Sequence, residues 1–318
     1  MKLVLTTDAN GSHFGLLDEL EVEGIDVVPA FDEPAQRREL PDADGVYGWP
    51  SAELLATATK LRWLQSPSAG VERLWSLPDL QRSDVIVTNA RGAHAPNMAE
   101  HVFAMILAFS RGILQSREFQ KEHVWEGRGA REFCYELADK TLGVIGYGNI
   151  GRQVARRARA FDMTVLAVDA QPVPSDDPAT EVWPLGCLDD LLARSDVVVI
   201  AAPATPESRH LIGAPQLQRM RRSAGLVVIS RGALFDHAAL TGALRDRTIA
   251  WAGVDATEPE PLPSDSPLWD IPTCLITPHS SGHSIEKERR VIEIVRENAR
   301  RLARGEPLLN VVDKARGY

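Results

Sequence analysis

Three glycines and an acidic residue set the first chemical possibility. Gly146, Gly148 and Gly151 form G-x-G-x-x-G directly after the apolar run Leu142–Ile145, and Asp169 follows Gly151 by 18 residues. In a strand–turn–helix–strand unit the first glycine permits a tight turn. The second lets a pyrophosphate approach the backbone, and the third lets helix pack on strand. The helix start at Asn149-Ile150-Gly151 offers unpaired N–H groups and a positive dipole end to phosphates. Asp169 closes the apolar run Thr164–Val168. It can accept hydrogen bonds from a ribose 2′-OH and would repel a 2′-phosphate, which favours NAD(H) over NADP(H). The alternative is a βα turn in some other doubly wound sheet. Three further polar residues follow apolar runs: Arg231 after Leu226–Ser230, Glu260 after Ile249–Val254 and a short loop, and His279 after Cys274–Thr277. Ligands of open α/β sheets bind at the carboxyl ends of strands, so all three are expected to converge on a nicotinamide. Taken singly, each also fits an ordinary place: a surface arginine, a solvated glutamate before proline, a satisfied loop histidine.

The elements that must position these residues form two α/β series. Before the glycine turn, Leu3–Thr6, Ile25–Pro29, Gly45–Tyr47, Leu61–Ser66 and Val85–Thr88 look like buried parallel strands alternating with helical segments such as Ser51–Ala58. The spacing predicts one long helix from Asn97 to about Val124. Asn97 and His94 either cap it or face a ligand cleft. The second series places strands at Leu142–Ile145, Thr164–Val168, Val197–Ala201, Leu226–Ser230, Ile249–Val254 and Cys274–Thr277, the six of a full dinucleotide-binding sheet. The proline-rich piece Gln171–Pro184 is expected to be a loop. After Ser284 an amphipathic helix runs to Gly305, with an apolar stripe of Ile285, Val291, Ile292, Val295 and Leu302 that needs a partner surface. Packing it on the first series makes the fold two doubly wound parallel-sheet domains. A Rossmann NAD domain (98–284) is inserted into a flavodoxin-like substrate domain (1–97 with 285–318).

Composition bounds the function. At 318 residues two domains are expected. With 44% hydrophobic and 25% charged residues the chain reads as globular. A net charge of −9 argues against nucleic-acid binding, which needs a basic stripe. Cys134, Cys187 and Cys274 lie far apart without metal-ligand spacing, so no metal and a reducing compartment are expected. The chain opens on a strand-like KLVLT without a signal-peptide pattern, and no apolar run approaches bilayer length. The cytoplasm is therefore the expected location, with no membrane partner.

Nearly the whole chain resembles the D-isomer-specific 2-hydroxyacid dehydrogenase family. GYGNIG with Asp169 is similar to the family's cofactor loop. Ala202-Pro203-Ala204-Thr205-Pro206-Glu207-Ser208 with Leu211-Ile212 resembles its P-x-T-x-x-T-x-x-L-I segment. SRGALFDHAAL is similar to A-R-G-x-x-V-D-E-x-A-L, and GVDATEPEPLP to G-x-D-V-F-x-x-E-P. Thr277-Pro278-His279 matches T-P-H. Ser68-Ala69-Gly70-Val71 resembles the S-x-G-x-D loop, and Asn97–His101 the V-A-E-H helix start.

The resemblance implies a 2-ketoacid reductase of the glyoxylate/hydroxypyruvate branch, taking glyoxylate, hydroxypyruvate or a longer-chain 2-oxoacid, or the matching D-2-hydroxyacid. Arg231 would hold the substrate carboxylate and carbonyl, as suits a planar guanidinium, with the N–H groups of Ala69 and Gly70 completing the site. His279 would be the acid–base, and Glu260 its partner. Glu260 is preferred over Glu258 because it falls five residues after Asp255. Asp255 would orient the nicotinamide carboxamide. Ala202, Pro203, Ile229, Ser230, Ser281 and Gly282 complete the implied cofactor contacts. His237 stands where the family pattern has Glu, a departure read as structural. His283, four residues beyond His279, is read as a loop or helix-cap neighbour. The resemblance also implies a homodimer, with Ala99–Phe109 either its surface or core. An NAD(H)-sensing corepressor-like scaffold of the same fold is the alternative.

Overall fold

The computed structural model describes residues 1–7, 23–131, 134–174 and 180–315. The chain forms two compact units, Met1–His94 with His283–Tyr318, and Ala95–Gly282. The second is inserted into the first along the chain. The junctions fall after His94 and Gly282, where the sequence placed them after Asn97 and Ser284.

The first unit carries strands β1 (Lys2–Leu5), β2 (Asp26–Pro29), β3 (Gly45–Tyr47), β4 (Trp63–Gln65) and β5 (Ile86–Thr88). All pair in parallel, in the order β2-β1-β3-β4-β5, which is the flavodoxin-like arrangement. The helix Ile285–Arg304 belongs to this unit. Ser284 caps its start by accepting from Lys287 N–H at 3.0 Å, and Gly305 ends it at φ 70°. Val291, Ile292, Val295, Ala299 and Leu302 bury against Leu3, Leu5, Ile25, Tyr47 and Trp63. Each fully buried Val or Ile there contributes about 1.5–3 kcal/mol. Ile285 does not join that stripe: in the first turn it is 66% exposed. Fully buried Asn298 donates to Gln65 Oε1 at 3.1 Å and accepts from Leu309 N–H at 2.7 Å, tying helix, β4 and C-terminal segment together.

The second unit carries β6 (Thr141–Ile145), β7 (Thr164–Asp169), β8 (Thr180–Pro184), β9 (Val197–Ile200), β10 (Gly225–Val228), β11 (Trp251–Val254) and β12 (Cys274–Ile276). The parallel order is β12-β11-β10-β9-β6-β7-β8, the Rossmann order with one added edge strand. The inner strands β9, β10 and β11 are buried at every position, as a sheet covered on both faces requires. Strand order reverses between β6 and β9, so a crevice opens at their carboxyl ends.

Thr180–Pro184 is not loop but edge strand β8, paired in parallel with β7. Its proline sits last, on an edge, where a missing N–H costs no ladder bond. The long helix is two, Ala95–Ser110 and Ile113–Lys121, separated at Gly112, which takes φ 61°. Helix Ala95–Ser110 starts two residues before Asn97, so Asn97 is not its N-cap. Its apolar face, including Ala99, Val102, Phe103, Ile106 and Phe109, is buried in this unit's own core, with Phe109 stacked on Trp251 at 4.4 Å. The inner face of Ala99–Phe109 is therefore core, while Glu100 and Ala104 on its outer face stay exposed.

Candidate active site

The glycine loop follows β6 at the strand-order reversal. Gly146 takes φ +94°, and a Cβ there would meet Ala202 N at 2.7 Å, so only glycine fits between the ends of β6 and β9. A Cβ on Gly151 would stand 2.1 Å from Gly146 O, which explains the close seating of helix Asn149–Arg159 on β6. At Gly148 a Cβ would meet nothing within 4 Å. This glycine borders open space just where the helix begins, and as N-cap it brings no side chain to the first-turn N–H groups of Asn149, Ile150 and Gly151. Asp169 ends β7 beside the loop. Its Oδ2 accepts from Tyr147 N–H at 2.8 Å and its Oδ1 from Gln171 N–H at 2.9 Å. Each oxygen keeps a lone pair for a ribose hydroxyl. Open space at Gly148, a helix start and a carboxylate at the next strand end fit a dinucleotide.

Because the sheet is parallel, the loops after β9, β10, β11 and β12 lie on the same edge as the glycine loop. Ala202-Pro203 leave β9, Ile229-Ser230 leave β10, Asp255 leaves β11, and Ser281-Gly282 follow β12. Arg231 continues from β10 in extended conformation (φ −144°, ψ 141°), and its Nη1 donates to Ser230 O at 2.9 Å. The next residue, Gly232, is pressed on the loop after β11: a Cβ there would lie 2.0 Å from Thr257 C. The Arg231 turn and the segment leading to Glu260 are thus in backbone contact.

His279 Nδ1–H donates to Glu260 Oε1 at 2.7 Å. A carboxylate only accepts, so Nδ1 carries a proton and the exchangeable position is Nε2. The imidazole is 37% exposed and reachable by a ligand. His279 adopts φ 49°, an uncommon left-handed conformation for a non-glycine residue. Its N–H is held by Asp255 O at 2.8 Å.

Asp255, buried to 1% exposure, organises the loop carrying His279. Its Oδ1 accepts from Thr277 Oγ1 at 2.5 Å and Ser280 N–H at 2.9 Å, and its Oδ2 from Ser281 N–H at 3.1 Å. Burial opposes its charge, but hydrogen bonds from Ser281, Thr277 and the backbone at 280 and 281 prevail and hold the carboxyl below its ordinary 3.8. Thr277 spends its one proton on Asp255, so His101 Nε2, 3.0 Å from Thr277 Oγ1, must be the donor in that contact. Asn97 adds a bond from Nδ2 to Ser281 O at 2.8 Å. Thr277, His101 and Asn97 are supports to which sequence reasoning gave no such role. The T-P-H and N-M-A-E-H motifs contain them, but their partners are distant in sequence.

In the first unit, Ala69 O accepts from Asn89 Nδ2 at 2.8 Å and Gly70 O from Ser68 Oγ at 2.7 Å. Gly70 borders a cavity of about 420 Å³ at the carboxyl ends of β1, β3 and β4, lined also by Thr6, Thr7, Trp49, Ser68 and Arg73. His283 is exposed, immediately before the cap Ser284. His94 is pushed down to about 4 by burial and the Lys287 charge, so it is neutral at neutral pH.

Comparison with known proteins follows the same lines. A family model described as "D-isomer specific 2-hydroxyacid dehydrogenase, NAD binding domain" matches residues 103–281. The glyoxylate reductase of Korarchaeum cryptofilum (strain OPF8) is 35% identical over 269 residues, covering 83% of this chain and 79% of the relative. The crystal structure of a D-isomer specific 2-hydroxyacid dehydrogenase family protein from Aeromonas salmonicida subsp. salmonicida A449 matches with a TM-score of 0.85 and 31% identity, over 98% of this chain and 99% of that one. A D-isomer specific 2-hydroxyacid dehydrogenase from Xanthobacter autotrophicus Py2, solved with NADPH and MES, gives 0.85 and 30%, over 100% and 99% of the two chains.

Proposed function

Because the chain belongs to the D-isomer-specific 2-hydroxyacid dehydrogenase family, we propose that this dehydrogenase interconverts a small 2-ketoacid and its D-2-hydroxyacid, with His279 as acid–base. One observation carries the assignment: the 2.7 Å contact of His279 with Glu260 on the sheet edge that also carries the glycine loop. A bound nicotinamide supplies hydride in reduction and accepts it in oxidation. Arg231 grips the substrate carboxylate through its planar donor fork. The amides of Ala69 and Gly70 are further carboxylate donors in this reading. In reduction His279 Nε2–H protonates the ketone oxygen, and in oxidation Nε2 takes the hydroxyl proton. Glu260 fixes the tautomer and stabilises the imidazolium. Asp255 holds the loop that presents His279, and its remaining lone pair is available to the nicotinamide carboxamide.

Asp169 supports NAD(H) over NADP(H), since its charge opposes a 2′-phosphate. Gly146, Gly148, the helix start at Asn149, Ile150 and Gly151, and the strand-end residues Ala202, Pro203, Ile229, Ser230, Ser281 and Gly282 form the proposed cofactor cradle. A cytoplasmic setting is supported by three free cysteines. Among the described residues no helix is long and apolar enough to cross a membrane. A homodimer is supported by exposed Ile113, Val124 and Trp125, apolar groups left outside the core of their own unit. The direct test is turnover of graded 2-ketoacids with NADH and NADPH. The reading expects oxidation of NADH with short acids, at higher kcat/KM than NADPH. Intact NADH binding without turnover on any acid would refute it.

A further inference from the structure

The departure at position 237 lies against the loop that carries Glu260. His237 opens helix His237–Arg245, whose N-cap Asp236 accepts from Ala239 N–H at 3.0 Å. Its ring stacks on Phe235 with centroids 4.1 Å apart. Its Nε2 lies 3.0 Å from the backbone N–H of Glu258. That amide can only donate, so Nε2 must be the unprotonated nitrogen of a neutral imidazole. Glu258 stands two residues before Glu260, which reaches His279.

The other anchors of this loop act nearby but do not replace that bond. Gly232 supports it from below at Thr257. Thr257 Oγ1 donates to Pro259 O at 3.0 Å, and the Glu258 side chain pairs with Arg209 at 3.0 Å. Each leaves the Glu258 amide to His237. Ring stacking on Phe235 would account for an aromatic residue, but it does not call for a nitrogen acceptor aimed at the loop.

We infer that His237 is a positioning residue for the acid–base pair: its neutral imidazole holds the Glu260 loop in register with His279, and protonation of that imidazole releases the loop. The inference rests on the acid–base reading of His279. The groups facing His237 are Glu258 on the loop, Asp236 on its own turn, and His210 on the segment that also carries Arg209. Burial lowers its proton affinity below the ordinary 6.5, His210 adds to this, and the two carboxylates oppose it. Above that range the loop is held, and it loosens as pH falls. A general acid alone gives reduction no such acid-side loss.

The test uses the full chain with His237→Leu, which removes the acceptor, and His237→Gln, whose amide oxygen can replace Nε2. For 2-ketoacid reduction His237→Leu should lower kcat about fivefold, the worth of one hydrogen bond, with the KM for NADH unchanged. His237→Gln should stay within about twofold of wild type, and its acid limb should move to lower pH. Adding His237→Leu to Glu260→Gln should cost nothing further. Independently of turnover, the downfield proton resonance of His279 Nδ1–H should persist in wild type and His237→Gln and vanish in His237→Leu. An undiminished resonance in His237→Leu, superimposable acid limbs, or losses fully additive with Glu260→Gln would overturn the inference. Inactive wild type would refute the acid–base reading instead, while the resonance would still decide the role of His237.

Discussion

Arg231 leaves β10 extended and offers the planar fork that a carboxylate needs, on the sheet edge where His279 meets Glu260. Arg231→Ala should cut kcat/KM for 2-ketoacids about a hundredfold or more, because two charge-assisted hydrogen bonds disappear, while the Kd for NADH holds. Steady-state kinetics with wild-type values would remove Arg231 from the substrate site. Arg231, Glu260 and His279 stood out in the sequence because each follows a short apolar run, and a parallel sheet brings all such ends to one edge. The supporting residues did not stand out. His101 meets Thr277 across 176 positions and His237 meets Glu258 across 21, and no local spacing encodes such pairs. Asp255 was read as a carboxamide acceptor, yet three of its lone pairs serve Thr277, Ser280 and Ser281.

At the scale of elements, the three glycines carry different burdens and should respond differently. Gly151→Ala sets a methyl 2.1 Å from Gly146 O. It should lower stability by about 1–3 kcal/mol as helix Asn149–Arg159 is pushed off β6, and NADH affinity should fall with it. Gly148→Ala meets nothing in the protein, so it should weaken NADH binding with Tm unchanged. Thermal melts beside NADH titrations check both, and equal Tm losses would contradict this division of labour. Element types were legible where apolar runs were unbroken: β6, β7 and β9 to β12 lie where expected. Strand β8 was hidden because five residues at an edge, ending in proline, carry the composition of a loop. The break at Gly112 was hidden by helical composition on both sides, although that residue is the one that adopts a left-handed turn at no steric cost.

For the molecule as a whole, one chain builds two parallel sheets, and in sequence the second unit falls between the strands of the first unit and its closing helix. The insertion was legible because the apolar stripe of Ile285–Arg304 required a partner, and it found one among Leu3, Leu5 and Trp63. His94 ends the first segment of that unit, and its folded pKa of about 4 lies below the ordinary 6.5. The unfolded chain therefore binds the extra proton between these values. The stabilisation is complete above pH 6.5 and declines toward pH 4, by up to about 3 kcal/mol. Urea midpoints from pH 7 to 5 should fall less steeply in His94→Leu than in wild type, and parallel slopes would deny His94 that role. In the proposed reaction an imidazole held by Glu260 delivers the proton when a 2-ketoacid is reduced. Single-turnover oxidation of bound NADH by a short 2-ketoacid, in wild type and His279→Ala, tests it most directly. The variant should bind NADH normally and react about 10²–10⁴-fold more slowly. An undiminished rate would show that the proton comes from elsewhere.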